Sequence, residues 1–265
     1  MDQFGIVPAT GKVVPIIVSI PHCGTAFPDD IVEEYIPERI SNVDDTDWFV
    51  DQLYDFAPAL GITMITAVNS RWVIDLNRDP DSKPLYSDGR IITALCPTTN
   101  FLGEPIYRDH RAVVAADEVA RRKKNYYDPY HMEIQRLLDE RKNTFGKVVL
   151  WDCHSIRQVV ATIQAEKFPD LILGDADGRS AAPLFIDSVI ANLQREGYSF
   201  SHNHPFKGGT ITRKFGRPEI DQHALQLEMT KVNYMDDAEQ AYDTARAERM
   251  RSLLNQTLRA LIGLL

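Results

Sequence analysis

Apolar residues in this chain come in two patterns: short unbroken runs, and longer stretches in which they recur every three or four positions. The first predicts buried strands and the second predicts helices. Residues 13–20 (VVPIIVSI) form a strand-like run that stops at Pro21 and delivers His22, Cys23 and Gly24. Over residues 47–60 the apolar positions Phe49, Val50, Leu53, Phe56, Ala57 and Leu60 keep the helix period, with Asp45 or Thr46 as cap and Gly61 as stop. Asp47 then lies in the first helical turn, where a carboxylate suits the helix dipole. Residues 62–68 (ITMITAV) predict the next strand, and residues 71–78 (RWVIDLNR) predict a short strand bracketed by two arginines, with Asp75 and Asn77 on one face.

Residues 80–110 carry Pro, Gly, Asp and Thr without periodicity and predict a long surface excursion, of the kind that often walls a site. A helix is predicted over 117–145, broken near Asp128-Pro129, with Tyr126, Tyr127, Tyr130, Ile134, Leu137 and Leu138 as its packing stripe. Residues 147–155 (KVVLWDCHS) predict a strand covered on both faces that ends in Asp152, Cys153, His154 and Ser155. A brief strand at 170–174 and a helix at 181–194 closing at Gly197 follow. Residues 202–213 are a polar loop with the pair Gly208-Gly209. Residues 224–229 alternate, so that Leu225, Leu227 and Met229 face one way and Gln226 and Glu228 the other, and residues 236–265 predict a long terminal helix. With no internal repeat or linker, alternating strands and helices imply one layered α/β domain over residues 1–265.

Composition narrows the classes. At 44% hydrophobic and 25% charged residues the chain can bury one large core. Its net charge of −9 argues against nucleic acid, because phosphate tracking needs clustered cations. The basic run Arg121, Arg122, Lys123, Lys124 sits beside Asp117 and Glu118 and predicts a solvated helix face. No run approaches the roughly 18 apolar residues of a membrane span, and the amino terminus lacks the pattern of a signal peptide. A cytoplasmic protein without membrane contact is expected. Cys23, Cys96 and Cys153 show no CxxC spacing and are expected as reduced thiols.

The chemistry lies at the strand ends. His22 and His154 each follow an apolar run, and ligand sites in α/β sheets lie beyond the carboxyl ends of strands. With Asp47 between them they make a His, carboxylate, His set, the number of protein ligands that holds a catalytic zinc with one position open. Glu228 can then move the proton, and Arg71 can balance charge on the carbonyl oxygen. Arg71 and Arg78 either bridge to Asp75 and Asp79 or present forked donors to a substrate carboxylate. A thiol hydrolase using Cys153 with His154 is a poor rival, because neighbours on a strand point to opposite faces.

Taken together, the segments SIPHCGTAFP, DTDWFVDQLYDFA, SRWVIDLNRDP, PTTNFLGEPIYR, LWDCHSIR, DLILGDADGRS, FKGGTITRKFGRP and LQLEMTKVNYMD resemble the N-formylglutamate amidohydrolase family. The resemblance runs from about Val14 to the terminal helix. It implies a three-layer α/β/α fold with a mixed, mostly parallel central sheet, zinc-exopeptidase-like (phosphorylase/hydrolase-like). It implies hydrolysis of N-formyl-L-glutamate to formate and glutamate, the last step of one histidine-degradation route, with a small acidic N-acyl amino acid as the partner. The implied metal ligands are His22, Asp47 and His154, with Asp45 as the substitute for Asp47, and the implied metal is Zn2+, with Co2+ or Mn2+ as alternatives. Related zinc carboxypeptidases and deacylases use an HxxE pair, and here that spacing gives Thr25. By the same analogy Asn77 and Arg78 bind a substrate carboxylate, Arg71 polarises the scissile carbonyl and Glu228 shuttles the proton. Because glutamate carries two carboxylates, charge counting adds Arg213. Two alternatives remain at this point: a zinc deacylase or carboxypeptidase acting on another N-acylated acidic amino acid, and a non-catalytic dicarboxylate binder.

Overall fold

A computed structural model describes residues 3–83 and 93–265. Seven strands, β1 (Phe4–Val7), β2 (Ile16–Ile20), β3 (Thr63–Ala67), β4 (Val148–Ile156), β5 (Leu171–Gly174), β6 (Phe200–His202) and β7 (Gln222–Thr230), form one sheet in the order β1-β3-β2-β4-β7-β5-β6. β3, β2, β4 and β7 run parallel, as do β5 and β6, while β1 pairs antiparallel with β3 and β5 antiparallel with β7. The sheet is therefore mixed and mostly parallel. The helices are α1 (Pro37–Ile40), α2 (Val50–Leu53), α3 (Ala116–Arg122), α4 (Asp128–Phe145), α5 (Pro183–Leu193), α6 (Thr210–Phe215) and α7 (Thr244–Ile262).

The two-residue period of the strands divides the core. Val149, Trp151 and Cys153 of β4 and Leu225, Leu227 and Met229 of β7 pack with Phe185 and Val189 of α5 and Leu254 and Leu258 of α7. Val148 and Leu150 of β4 and Ala224 of β7 pack on the other face with Tyr130, Ile134 and Leu138 of α4. This gives the expected three layers. Both long central strands are buried along their whole length, so the polar residues on them need partners inside the protein.

Several predicted elements differ from the structure. The helix expected over 47–60 is one turn, α2, followed by a 3-10 turn at Ala57–Leu60. Asp47 N–H donates to His22 O, which pins this stretch to the end of β2, and Phe49 takes a left-handed φ of 63° before α2 begins. Asp47 therefore precedes the helix. Residues 71–78 form turns rather than a strand: Asp75 accepts from Asn77 N–H through its side chain and from Arg78 N–H through its carbonyl, curling the chain. The break expected at Asp128-Pro129 is instead a π-helical turn, Lys123–Tyr127, that joins α3 to α4 without interruption. The loop expected over 202–213 gives way to α6 at Thr210, and the terminal helix starts only at Thr244, where Asp243 accepts from Arg246 N–H. β1 and β6 carry no run long enough to have been expected. Of the excursion over 80–110, residues 84–92 lie outside the described residues; Leu95, Cys96, Ile106 and Tyr107 are buried. No helix among the described residues is long and apolar enough to cross a membrane, and all three cysteines are free thiols.

α4 meets the turn segment 71–78 through His131, which is 3% exposed and donates from Nε2 to Leu76 O at 2.8 Å. Burial, with help from the Lys214 charge, lowers its pKa from 6.5 to about 3. The unfolded chain therefore takes up a proton as pH falls below 6.5 that the folded protein refuses, so this residue makes stability drop on acidification. Between pH 7.5 and 5 the loss should reach about 2 kcal/mol. Urea midpoints measured across that range should fall less steeply for His131→Gln than for the parent; parallel curves would remove His131 as the cause.

Candidate active site

The parallel strands β2, β4 and β7 end side by side, and their polar tips meet there. In the β4–β7 register His154 stands beside Glu228 and Asp152 beside Gln226, all four on the sheet face that carries α4. His22 follows the end of β2, and its carbonyl holds Asp47 in place.

The imidazoles of His22 and His154 lie 4.9 Å apart, centre to centre. Asp47 Oδ2 is 3.6 Å from His22 Nδ1 and 3.2 Å from His154 Nδ1. One ligand atom from each of the three residues falls within 4.8 Å of the others. The opposite nitrogens face carboxylates: His22 Nε2 donates to Asp75 Oδ1 at 2.8 Å, and His154 Nε2 lies 3.2 Å from Asp152 Oδ2. At His22 the carboxylate on Nε2 fixes the proton there and leaves the Nδ1 lone pair turned inward, the arrangement common to metal-binding histidines.

Two buried atoms of this group, His22 Nδ1 and Asp47 Oδ1, have no hydrogen-bond partner. Leaving such a group unpaired costs roughly 1–3 kcal/mol, and a cation between the three side chains would satisfy both. Charge argues the same way. Burial opposes ionisation of Asp47, yet its contacts with His154 and His22 outweigh it and hold the carboxyl below the usual range. Burial likewise disfavours charge on His154, but Asp152, Asp47 and Glu228 overcome it and raise the imidazole well above its ordinary value. The group attracts positive charge. The residues thus fit a divalent metal.

Asp45, the alternative acidic ligand, has other work. Its Oδ2 accepts from Trp72 Nε1 at 2.8 Å, and both oxygens accept from Phe101 N–H at 3.1 and 3.2 Å. That holds the Phe101 ring against Arg71, with the guanidinium carbon 4.6 Å from the ring centre. Asp47, not Asp45, is the acid beside the histidines.

A cleft opens over the triad, lined among others by His22, His154, Arg71, Asn77, Arg78 and Glu228. One carboxylate organises much of it. Asp75 binds His22 through Oδ1, and its Oδ2 accepts from Arg71 Nη2 at 2.7 Å and Arg78 Nη2 at 3.4 Å. Burial works against the Asp75 charge, but Arg71, His22 and Arg78 outweigh it and hold this carboxyl well below the usual range. The structural bridge and the site are therefore one feature. Arg78 Nη2 also donates to Thr93 Oγ1 at 2.8 Å, while its Nε is buried with no partner.

Asn77 turns partly inward. Its Oδ1 accepts from Ile211 N–H at 2.8 Å, and its Nδ2 lies 2.9 Å from His154 Nε2. Glu228 is 9% exposed and receives Gln226 Nε2 at 3.4 Å. Burial pushes its carboxyl up to about 8, with His154 pulling down and Asp47 pushing up. Arg213 is not among the described residues that line the cleft, and its Nε donates to Gly208 O at 2.9 Å. Cys153 packs in the opposite core, and burial raises its thiol well above the ordinary value, which removes it as a nucleophile.

Sequence reasoning did not find Thr93, Asn100, Phe101, Ile163, Phe206 and Gln226, which also line the cleft. Gln226 was findable, since it shares the polar face of β7 with Glu228. The others sit in irregular segments without periodicity.

These features define an α/β protein with a buried two-histidine, one-aspartate group, able to hold a metal, at the carboxyl ends of parallel strands. The chain belongs to the N-formylglutamate amidohydrolase family, whose sequence pattern matches residues 14–235. It is 41% identical over 254 residues to an N-formylglutamate deformylase of Pseudomonas aeruginosa, covering 94% of this chain and 93% of that protein. A second N-formylglutamate deformylase, from Pseudomonas putida, is 39% identical over 252 residues, with coverage of 94% and 93%. Among solved structures, an N-formylglutamate amidohydrolase from Ralstonia eutropha JMP134 superposes with a TM-score of 0.81 at 29% identity, covering 97% of this chain and 96% of that one.

Proposed function

We propose that the protein hydrolyses the formamide of N-formyl-L-glutamate to formate and L-glutamate, using a divalent metal, zinc in the first instance, held by His22, Asp47 and His154. The observation that carries this reading is the convergence of those three side chains beneath a cleft that also presents Arg71, Arg78 and Glu228. Family membership at about 40% identity to two deformylases supports the substrate.

A metal in this position supplies acidity to a water molecule and positive charge to the carbonyl oxygen. Arg71, held by Asp75 and backed by the Phe101 ring, adds a fixed donor for the same oxygen as it gains charge. Glu228 takes the proton from the attacking water and returns it to the leaving amine. An acid–base group works best with a pKa close to the operating pH, and burial moves the Glu228 carboxyl in that direction from the ordinary carboxylate range. Arg78, whose side chain lines the cleft, binds a substrate carboxylate, and Asn77 beside it completes the edge of that subsite. The free thiols Cys23, Cys96 and Cys153 accord with the cytoplasmic setting expected from the sequence.

Formate release from N-formylglutamate should occur with the purified protein, stop after exhaustive chelation and return on adding zinc, cobalt or manganese. Turnover that continues in protein stripped of metal would overturn the metal reading. Faster release of the acyl group from N-acetyl- or N-succinylglutamate would overturn the substrate.

A further inference from the structure

Residues 71–78 are irregular and buried, so their carbonyls must find donors outside regular structure. Side chains supply several of them. Trp72 O accepts from Tyr35 Oη at 3.1 Å, and Val73 O accepts from Arg122 Nη1 at 3.2 Å. Leu76 O accepts from His131 Nε2 at 2.8 Å, and Arg78 O accepts from Tyr127 Oη at 3.0 Å. Three of these four donors come from the single rod formed by α3, the π-helical turn and α4.

The spacing of the three donors explains the turn. Tyr127 follows Arg122 by five residues, and in a plain α-helix that would carry it about 140° around the axis. An i→i+5 turn brings it back toward the same side, and the π-helical turn spans Lys123–Tyr127. His131, four residues further, stays on that side. The irregularity therefore lets one rod grip both ends of the segment.

The grip extends to the other side of Asn77. The Tyr127 and His131 rings stack at 4.0 Å, and the Phe215 ring lies 5.7 Å from His131 at 26°. Phe215 ends α6, whose first turn binds Asn77: Thr210 N–H donates to its carbonyl at 3.2 Å, and Ile211 N–H donates to its side chain. Lys214 Nζ donates to His131 Nδ1 at 3.2 Å. Both elements that hold Asn77 and Arg78 are thus joined through the His131 ring.

We propose that Tyr127 and His131 are positioning residues of the substrate-carboxylate subsite, fixing the backbone of residues 76–78 so that Arg78 presents its guanidinium to the cleft. This rests on the reading of Arg78 as a carboxylate-binding residue. Neither residue touches the reacting atoms; they act through Arg78 and Asn77.

Tyr127→Phe keeps the stacked ring and removes only the bond to Arg78 O. It should raise KM for N-formylglutamate about five-fold, the equivalent of one hydrogen bond, with kcat within a factor of two. The same assay on the two mono-amides, N-formylglutamine and N-formylisoglutamine, adds a second readout. With the amide that replaces the carboxylate held by Arg78, Tyr127→Phe and parent should have equal KM. His131→Leu should raise KM in the same way, and His131→Gln, which returns a donor toward Leu76 O, should restore it to within two-fold of the parent. Proportionate losses on all three substrates, or a fall in kcat at unchanged KM, would overturn the proposal in favour of plain packing. Arg78→Ala separates the two levels. If it leaves KM unmoved, the carboxylate reading fails and this inference with it; if it raises KM while Tyr127→Phe does not, this inference alone fails.

Discussion

His154→Ala is expected to lose its bound metal and its formate release together. The side chain supplies one of three converging ligand atoms from a position 3% exposed at the end of β4. Its neighbours on β4 do not stand ready to replace it: Cys153 faces the opposite core and Asp152 is turned to Nε2. Truncation also leaves the buried Asp47 and Asp152 without the imidazole that both contact, and a buried charge that loses its partner costs roughly 3–5 kcal/mol. His154→Gln, which fills more of the space, provides the same test with less risk to folding. The decisive measurement is thermal. A metal present at a hundred times its dissociation constant stabilises the folded protein by about 2.7 kcal/mol, so parental protein should melt at a lower temperature after chelation. Neither variant should respond to zinc or chelator. A variant that keeps full metal content and formate release would remove His154 from the site.

The reason His154 could be singled out from sequence is the run before it. Four consecutive residues fit for a strand covered on both faces leave little choice of structure, and the polar residues after them must then lie at a sheet end. The alternation in 224–229 worked likewise for Glu228. What no single strand reveals is register: only the pairing of β4 with β7 puts His154 and Glu228 side by side. Helix period misled over 47–60, because apolar residues spaced three and four apart serve equally for a one-turn helix followed by a 3-10 turn packed on the same core. In 71–78 the apolar residues are buried because the segment is enclosed by Tyr35, Arg122, Tyr127 and His131, not because it belongs to the sheet. Burial without strand pairing reads like a strand. The cleft wall of Phe101 and Phe206 was illegible for another reason: each is placed by a loop contact, as Phe101 is by Asp45 more than fifty residues away.

Glu228→Gln should retain the metal and the fold yet lower kcat by about 10²–10⁴, the usual contribution of a positioned acid–base group. KM should stay within a few-fold, since the charged donors to the substrate are arginines. The fold should tolerate the change because burial already favours the uncharged carboxyl, and glutamine matches that form in shape and charge. Glu228 stands outside the three-residue ligand group, so metal content and the zinc dependence of melting should remain parental. Those two controls separate this variant from His154→Ala, in which all three properties fail together. Formate release above a tenth of the parental rate, in protein carrying its metal, would move the proton transfer elsewhere. Among the described residues that line the cleft the other acid is Asp75. Its oxygens are committed to His22, Arg71, Arg78 and the Asn77 N–H, and those cations hold it far below the range in which a carboxyl picks up a proton at neutral pH. Glu228 is the acid that burial, against the pull of His154, leaves able to take and return one.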